Sequence, residues 1–87
     1  MAVLEVFVHA GCISEQPALA LAQEIQLEFP ALHVQIWQEA DGRDRAQALG
    51  IIAVPAFVLD GQVLAVGVPG KHWLVRKLLD REPQASG

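Results

Sequence analysis

The hydrophobic pattern opens with Val3–Val8, a run that is apolar at almost every position and predicts a central strand covered on both faces. Residues 32–37 alternate apolar and polar side chains with period two, which predicts a second strand with one less buried face. Farther along the chain, two β-rich runs flank Asp60-Gly61. Because both central residues of a type I′ turn need a positive φ, this pair predicts an antiparallel hairpin.

Three other segments predict helices. Residues 18–29 predict a first helix that Pro30 closes. Residues 41–49 predict a short helix that Asp41 caps and Gly50 ends, with a charged, solvated start at 41–45. Residues 70–81 predict the last helix. The order β-α-β-α-β-β-α favours an α/β fold with a four-stranded mixed sheet and helices on both faces.

Length and composition indicate one small, soluble domain. With 87 residues, 53% of them hydrophobic, we expect a domain over residues 1–82 and a flexible tail at 83–87. No apolar run approaches the ~20 residues of a membrane span and no signal peptide is visible, which favours a cytoplasmic location. The net charge of −4, with scattered Lys and Arg, argues against nucleic-acid binding. The histidines lack partners at metal-ligand spacing, so no metal site is predicted.

The single cysteine, Cys12, follows the first predicted strand in a short loop. It has no partner for an intramolecular disulfide, so any disulfide chemistry must involve another molecule. Far downstream, Val54-Pro55 lies just before the hairpin. A proline there fixes φ, can adopt the cis form and leaves the neighbouring backbone free to pair with an extended peptide.

These two blocks, Ala10-Gly11-Cys12 with the helix after it and Val54-Pro55 with the hairpin, resemble the thioredoxin-like superfamily, in particular its small, glutaredoxin-sized members. The resemblance implies a thioredoxin-like fold and thiol–disulfide exchange with Cys12 as the attacking thiol. It also implies that Pro55 is cis and lies against Cys12. Gly11, Val54 and Pro55 are then the expected substrate-binding residues, with the Val54 backbone pairing with the substrate.

The chain departs from the Cys-x-x-Cys pattern of that superfamily, because the motif here reads Cys12-Ile13-Ser14-Glu15. Without the resolving cysteine, a mixed disulfide at Cys12 must be resolved by an external thiol, such as glutathione or a second protein. No cofactor is predicted, and glutathione is a candidate co-substrate. The expected partners are protein or low-molecular-weight thiols and disulfides, and a homodimer is a further candidate.

Two placements of the first helix change the environment of the thiol. If Cys12 were the N-cap, the helix dipole would favour its thiolate, but Pro17 would fall at a costly position. With Ser14 as a side-chain N-cap, the placement that we favour, Pro17 falls at a tolerated position and Cys12 lies in the loop. Glu15 is expected to oppose thiolate formation, whereas His9 could stabilise the thiolate or donate a proton.

The sequence leaves several functions open. The first is a monothiol oxidoreductase that acts through Cys12. The alternative is a redox-inactive thioredoxin-fold module that binds a protein or peptide, or dimerises, with Cys12 structural or vestigial. A third is an oligomerising or regulatory part of a redox system, with Cys12 in an intermolecular disulfide. Trp37 and Trp73 are expected in the core, and Trp37 alternatively borders a peptide groove.

Overall fold

The computed structural model describes residues 2–81, except for the side chains of Glu39 and Arg81. Seven elements follow one another in the order that the hydrophobic pattern predicts. They are β1 (Val3–Val8), α1 (Glu15–Glu28), β2 (His33–Gln38), α2 (Glu39–Leu49), β3 (Ala56–Leu59), β4 (Gln62–Val66) and α3 (Lys71–Arg81).

The four strands form one mixed sheet in the order β2-β1-β3-β4. β1 runs parallel to β2, whereas β3 is antiparallel to both β1 and β4. The predicted mixed α/β sheet is therefore confirmed. β1 lies inside the sheet and is buried after its first residue, in agreement with its nearly continuous apolar sequence.

The β3–β4 hairpin turns at Asp60-Gly61, as predicted. Asp60 has a φ of 50° and Gly61 a φ of 83°, the positive values that a type I′ turn requires. Asp60 also ties the turn to the start of β1. Its N–H donates to the Val3 carbonyl at 2.9 Å, and its Oδ1 accepts the Val3 N–H at 2.9 Å.

Alternation along β1 divides the core into two layers. One layer joins the even-numbered residues of β1 to β3, α1 and α3, and its largest fully buried members are Leu4, Val6, Val8, Ile25, Phe57, Leu59 and Leu74. Phe7 lies in the other layer, where Ala46 and Leu49 of α2 pack against the sheet. Helices therefore cover both faces, as predicted.

The start of α1 agrees with the favoured placement, whereas the start of α2 differs from the predicted one. α1 begins at Glu15, directly after Ser14, and Pro17 falls in its first turn, where a proline N–H is not needed. The Asp41 cap is wrong, because β2 stays in register with β1 as far as Gln38 and the chain enters α2 directly. Gln38 is the N-cap, and Asp41 lies inside the first turn, where the helix dipole favours a carboxylate.

One side chain of α3, that of Trp73, lies outside the core in which it was expected. Leu74 and Leu78 are buried there, at 0% and 3% exposure. Trp73 is 40% exposed, so its assignment to the core is wrong. The Lys77 ammonium lies over the Trp73 ring, 5.4 Å from its centroid, one helical turn farther along. The indole therefore packs under a neighbouring cation at the surface.

Some predictions lie beyond these observations. The domain end at residue 82 and the flexible tail at 83–87 fall outside the described residues. Within residues 2–81, none of the helices is both long and apolar enough to cross a bilayer. The cytoplasmic location stays a prediction.

Candidate functional site

Cys12 lies in the tight turn that joins β1 to α1, and it is exposed. The Cys12 N–H donates to the His9 carbonyl at 3.1 Å, and the Glu15 N–H donates to the Cys12 carbonyl at 3.0 Å. Gly11 has a φ of 83°, a left-handed conformation that a residue without a Cβ adopts at little cost. The turn therefore fixes the Cys12 backbone at the surface.

The structure decides between the two placements of the helix start. Ser14 is the N-cap, so Cys12 lies in the turn ahead of α1. The Ser14 hydroxyl makes no capping hydrogen bond, contrary to our expectation, because the Ser14 backbone is helical (φ −85°, ψ −6°) rather than extended. Glu15 Oε1 instead accepts the Gly11 N–H at 3.0 Å. A carboxylate thus lies within the turn that carries the thiol.

The segment that contains Val54-Pro55 directly precedes β3, and its X-Pro peptide bond is cis. Because Phe7 pairs with Ala56 in the antiparallel β1–β3 ladder, this segment and the Cys12 turn lie at the same end of the sheet. Pro55 is buried and Val54 is half-buried. The backbone N–H and carbonyl of Val54 make no hydrogen bond to any described residue. A peptide backbone could therefore pair there without displacing an internal bond.

A cleft of about 200 Å³ opens beside Val54, between the sheet and α2. One side of it is aromatic, because Phe7 and Trp37 stack with ring centroids 6.2 Å apart and an interplanar angle of 16°. The lining residues are Phe7, Val8, Trp37, Gly42, Arg43, Ala46, Gln47, Ile51, Ile52, Ala53 and Val54. Trp37 packs against the core layer of Phe7, as expected, and it also lines this cleft. That the cleft binds a peptide stays a prediction.

Sequence reasoning missed a buried acidic residue that holds Trp37. Glu5 lies within β1 and is 6% exposed. Its carboxylate accepts the Trp37 indole N–H at 3.0 Å and two hydrogen bonds from the Arg45 guanidinium, each 2.9 Å long. The available signal was a single acidic residue in an otherwise apolar strand, since such residues are rarely buried unless paired.

The Glu5 network also changes the interpretation of residues 41–45, which were expected to be solvated. Arg45 is partly exposed, but its guanidinium turns inward to Glu5. The hydrogen bond from Arg45 holds the pKa of Glu5 below its ordinary value, against the opposing effect of burial. The hydrogen bond to Glu5 likewise raises the pKa of Arg45. The carboxylate is therefore held in its ionised form.

The histidines and acidic residues bear on two further questions, metal binding and the ionisation of the thiol. Among residues 2–81, no three His, Cys, Asp or Glu side chains are grouped so as to hold a metal ion. His9 is exposed and supplies its carbonyl to the Cys12 turn. The influence of His9 and Glu15 on thiol ionisation stays a prediction.

The thioredoxin of Methanocaldococcus jannaschii is 30% identical to the chain over 79 residues, which cover 90% of the chain and 93% of the relative. The chain belongs to the thioredoxin family. No family model matches it.

Solved thioredoxins share the fold of this thioredoxin-family protein. Fasciola hepatica thioredoxin superposes with a TM-score of 0.75 at 16% identity, covering 91% of this chain and 79% of that one. Oxidised mitochondrial thioredoxin 3 of Saccharomyces cerevisiae gives a TM-score of 0.75 at 19% identity, covering 91% and 77%. The predicted thioredoxin-like fold is confirmed, and at the level of the superfamily the family and fold support a thiol–disulfide oxidoreductase.

Proposed function

We propose that this thioredoxin-family protein exchanges thiols and disulfides as a monothiol, with Cys12 as the attacking thiol. The observation that carries the proposal is the position of Cys12, the one cysteine of the chain. It is exposed, and it lies ahead of α1 at the sheet end that also holds Val54-Pro55. The N-terminus of a helix favours negative charge, which is the state of an attacking sulfur.

The exchange requires two external partners. The Cys12 thiolate attacks one sulfur of a substrate disulfide and forms a mixed disulfide, while the other substrate sulfur leaves as a thiolate. An external thiolate then attacks the substrate sulfur of the mixed disulfide. A new disulfide forms between these two, and Cys12 leaves as the thiolate. Glutathione, or the thiol of a second protein, fits the resolving role as a co-substrate, and no separate oxidant or reductant is needed.

In this proposal, Val54-Pro55 and the apolar side chains near it bind the substrate. The unpaired Val54 backbone can add an extended strand, the way in which many peptides are bound at open backbone. Ile13 and Ile52 are 93% and 99% exposed, and they lie in the segments that follow β1 and precede β3, at the same end of the sheet. Exposed large apolar side chains at such a site favour contact with a protein. Gly11 adds open space, since a Cβ there would meet nothing within 4 Å. We infer that the substrates include extended segments of proteins.

One observation favours the second candidate function, a redox-inactive module that binds a protein or peptide. The Glu15 carboxylate accepts the Gly11 N–H in the same turn that carries Cys12. That amide is then unavailable to a thiolate, and the negative charge of Glu15 opposes a second one beside it. The docking surface around Val54 would operate unchanged.

The rate of alkylation of Cys12 by iodoacetamide separates the two functions, because only the thiolate reacts. For the monothiol enzyme, we expect alkylation at neutral pH to be about tenfold faster than for free cysteine. Glu15→Gln should increase the rate further, since it removes the opposing charge. Glu28→Gln makes the same change of charge at the other end of α1, about 20 Å along the helix from Glu15, and should leave the rate unaltered.

If Cys12 is alkylated rapidly, the next assay is glutathione-coupled reduction of a disulfide. In that assay the Cys12→Ser variant should be inactive. A rate no faster than that of free cysteine, unchanged by Glu15→Gln, would contradict the monothiol assignment. The protein would then be treated as a binding module of the thioredoxin fold.

A further inference from the structure

The cleft beside Val54 is separate from the reacting sulfur, because Cys12 does not line it. Its volume of about 200 Å³ is enough for one aromatic ring, since an apolar protein cavity of roughly 150 Å³ holds benzene. The stacked rings of Phe7 and Trp37 form one wall. A third ring placed against them would gain aromatic contact in addition to burial.

Two polar side chains of α2 also line the cleft, Arg43 and Gln47, one helical turn apart. Arg43 is exposed, forms no ion pair with any described residue, and is the one charged residue among those of the lining. A guanidinium binds carboxylates through paired hydrogen bonds. The cleft therefore combines an apolar interior with a cation at its surface, a pattern complementary to an aromatic side chain beside an acidic one.

The aromatic wall is held in place before any ligand arrives. The Trp37 indole N–H is bound by the buried Glu5 carboxylate, which Arg45 fixes from α2. Gly42 brings α2 close to the same ring system, since a Cβ at Gly42 would lie 2.7 Å from the Trp37 Cβ. A wall that is already ordered lowers the entropy that a ligand must lose on binding.

We propose that this cleft is a specificity subsite, which receives an aromatic side chain flanked by acidic residues from an extended partner peptide. The inference rests on the docking role proposed for Val54, and it does not depend on the reactivity of Cys12. An extended peptide that pairs with the Val54 backbone presents alternate side chains to the same face, so one of them can enter the cleft. Its neighbours then lie near Arg43.

The test uses a blocked peptide that contains Glu-Phe-Glu between alanines, without cysteine, added to the full chain carrying Cys12→Ser and Trp73→Phe. These changes remove the thiol chemistry and leave Trp37 as the one indole in the nitrogen–proton NMR spectrum. We expect the signals of the Trp37 indole and of the Ile52 and Val54 amides to shift at millimolar peptide. Replacing the peptide Phe by Ala should weaken binding about tenfold.

Two matched variants test the charge. Arg43→Glu should weaken binding of Glu-Phe-Glu at least about fivefold and improve binding of Lys-Phe-Lys, whereas Arg76→Glu, the same change at an exposed position of α3, should alter neither. Absence of shifts at the cleft, or equal affinity for the two peptides, would overturn the proposal. So would shifts at the cleft that grow with protein concentration alone, since a second copy of the chain would then be the occupant. Slow alkylation of Cys12 with intact peptide binding would instead refute only the monothiol function.

Discussion

Glu5→Gln is the substitution that best tests how the buried network supports this protein. Glutamine keeps the shape of the side chain and one carbonyl oxygen for the Trp37 indole N–H, but it removes the charge that faces Arg45. Hydrogen bonds to a charged group contribute about 1.5–3 kcal/mol each. Because 43% of the Arg45 side chain is exposed, solvent screens part of this attraction. With this screening, we expect the free energy of unfolding to fall by about 1–2 kcal/mol at neutral pH.

The effect should depend on pH in one direction. The pKa of Glu5 is lowered in the folded protein, chiefly by the hydrogen bond from Arg45. A carboxyl whose folded pKa lies below its unfolded value contributes stability above the unfolded pKa, about 4.3 for Glu, and loses it as the pH falls through the folded pKa. The stability difference between the natural protein and Glu5→Gln should therefore be full at neutral pH and shrink in acid.

Urea unfolding followed by circular dichroism measures this difference across the pH range. At neutral pH the variant should also melt about 4–16 °C lower, the shift expected for this loss in a domain of this size. Glu24→Gln is the control. The Glu24 side chain is 56% exposed, and its Oε1 lies as far as 3.8 Å from the Lys71 Nζ, so this ion pair contributes little. Equal stability of Glu5→Gln and the natural protein at neutral pH, or a difference that persists in acid, would refute the reasoning.

Two further substitutions test packing. Gly42→Ala should destabilise the protein by about 1–3 kcal/mol in urea unfolding, although Ala is the better helix former, because its Cβ would lie 2.7 Å from the Trp37 Cβ. Gly70→Ala is the control and should not destabilise the protein, because its Cβ would meet nothing within 4 Å. If Gly42→Ala instead stabilised the protein, α2 would be able to move away from Trp37. Leu74→Ala removes a fully buried side chain and should cost about 2–5 kcal/mol. Leu79→Ala, on a residue 48% exposed, should have a clearly smaller effect in the same measurement, and equal losses would contradict the observed face of α3.

The monothiol proposal combines features that are visible in the sequence with one contact that only the structure shows. The sequence places Cys12 after the first strand and shows that the resolving cysteine is missing. The structure adds the contact between Gly11 and Glu15, which gives the turn its internal carboxylate. Alkylation of the natural protein and Glu15→Gln thus measures whether helix and carboxylate together leave a reactive thiol.

Local patterns in the sequence determined the order of elements, the hairpin at Asp60-Gly61, and the glycine that ends α2. Gly50 has a φ of 77° and Asp60-Gly61 have positive φ values, so each of these positions obeys rules that involve only its neighbours in the chain. The place of Cys12 ahead of α1 followed from the same kind of rule, since Pro17 restricts where the helix begins.

Tertiary structure alone decided what lies around the cleft. Glu5, Trp37 and Arg45 are far apart in the sequence, and they meet because the parallel register of β1 and β2 puts Phe7 beside Trp37 while α2 packs on the same face. A pattern of single residues carries no information on that pairing. The buried carboxylate, the close approach at Gly42 and the aromatic wall beside Val54 are consequences of long-range packing, whereas the strands and helices that carry them follow from local preference.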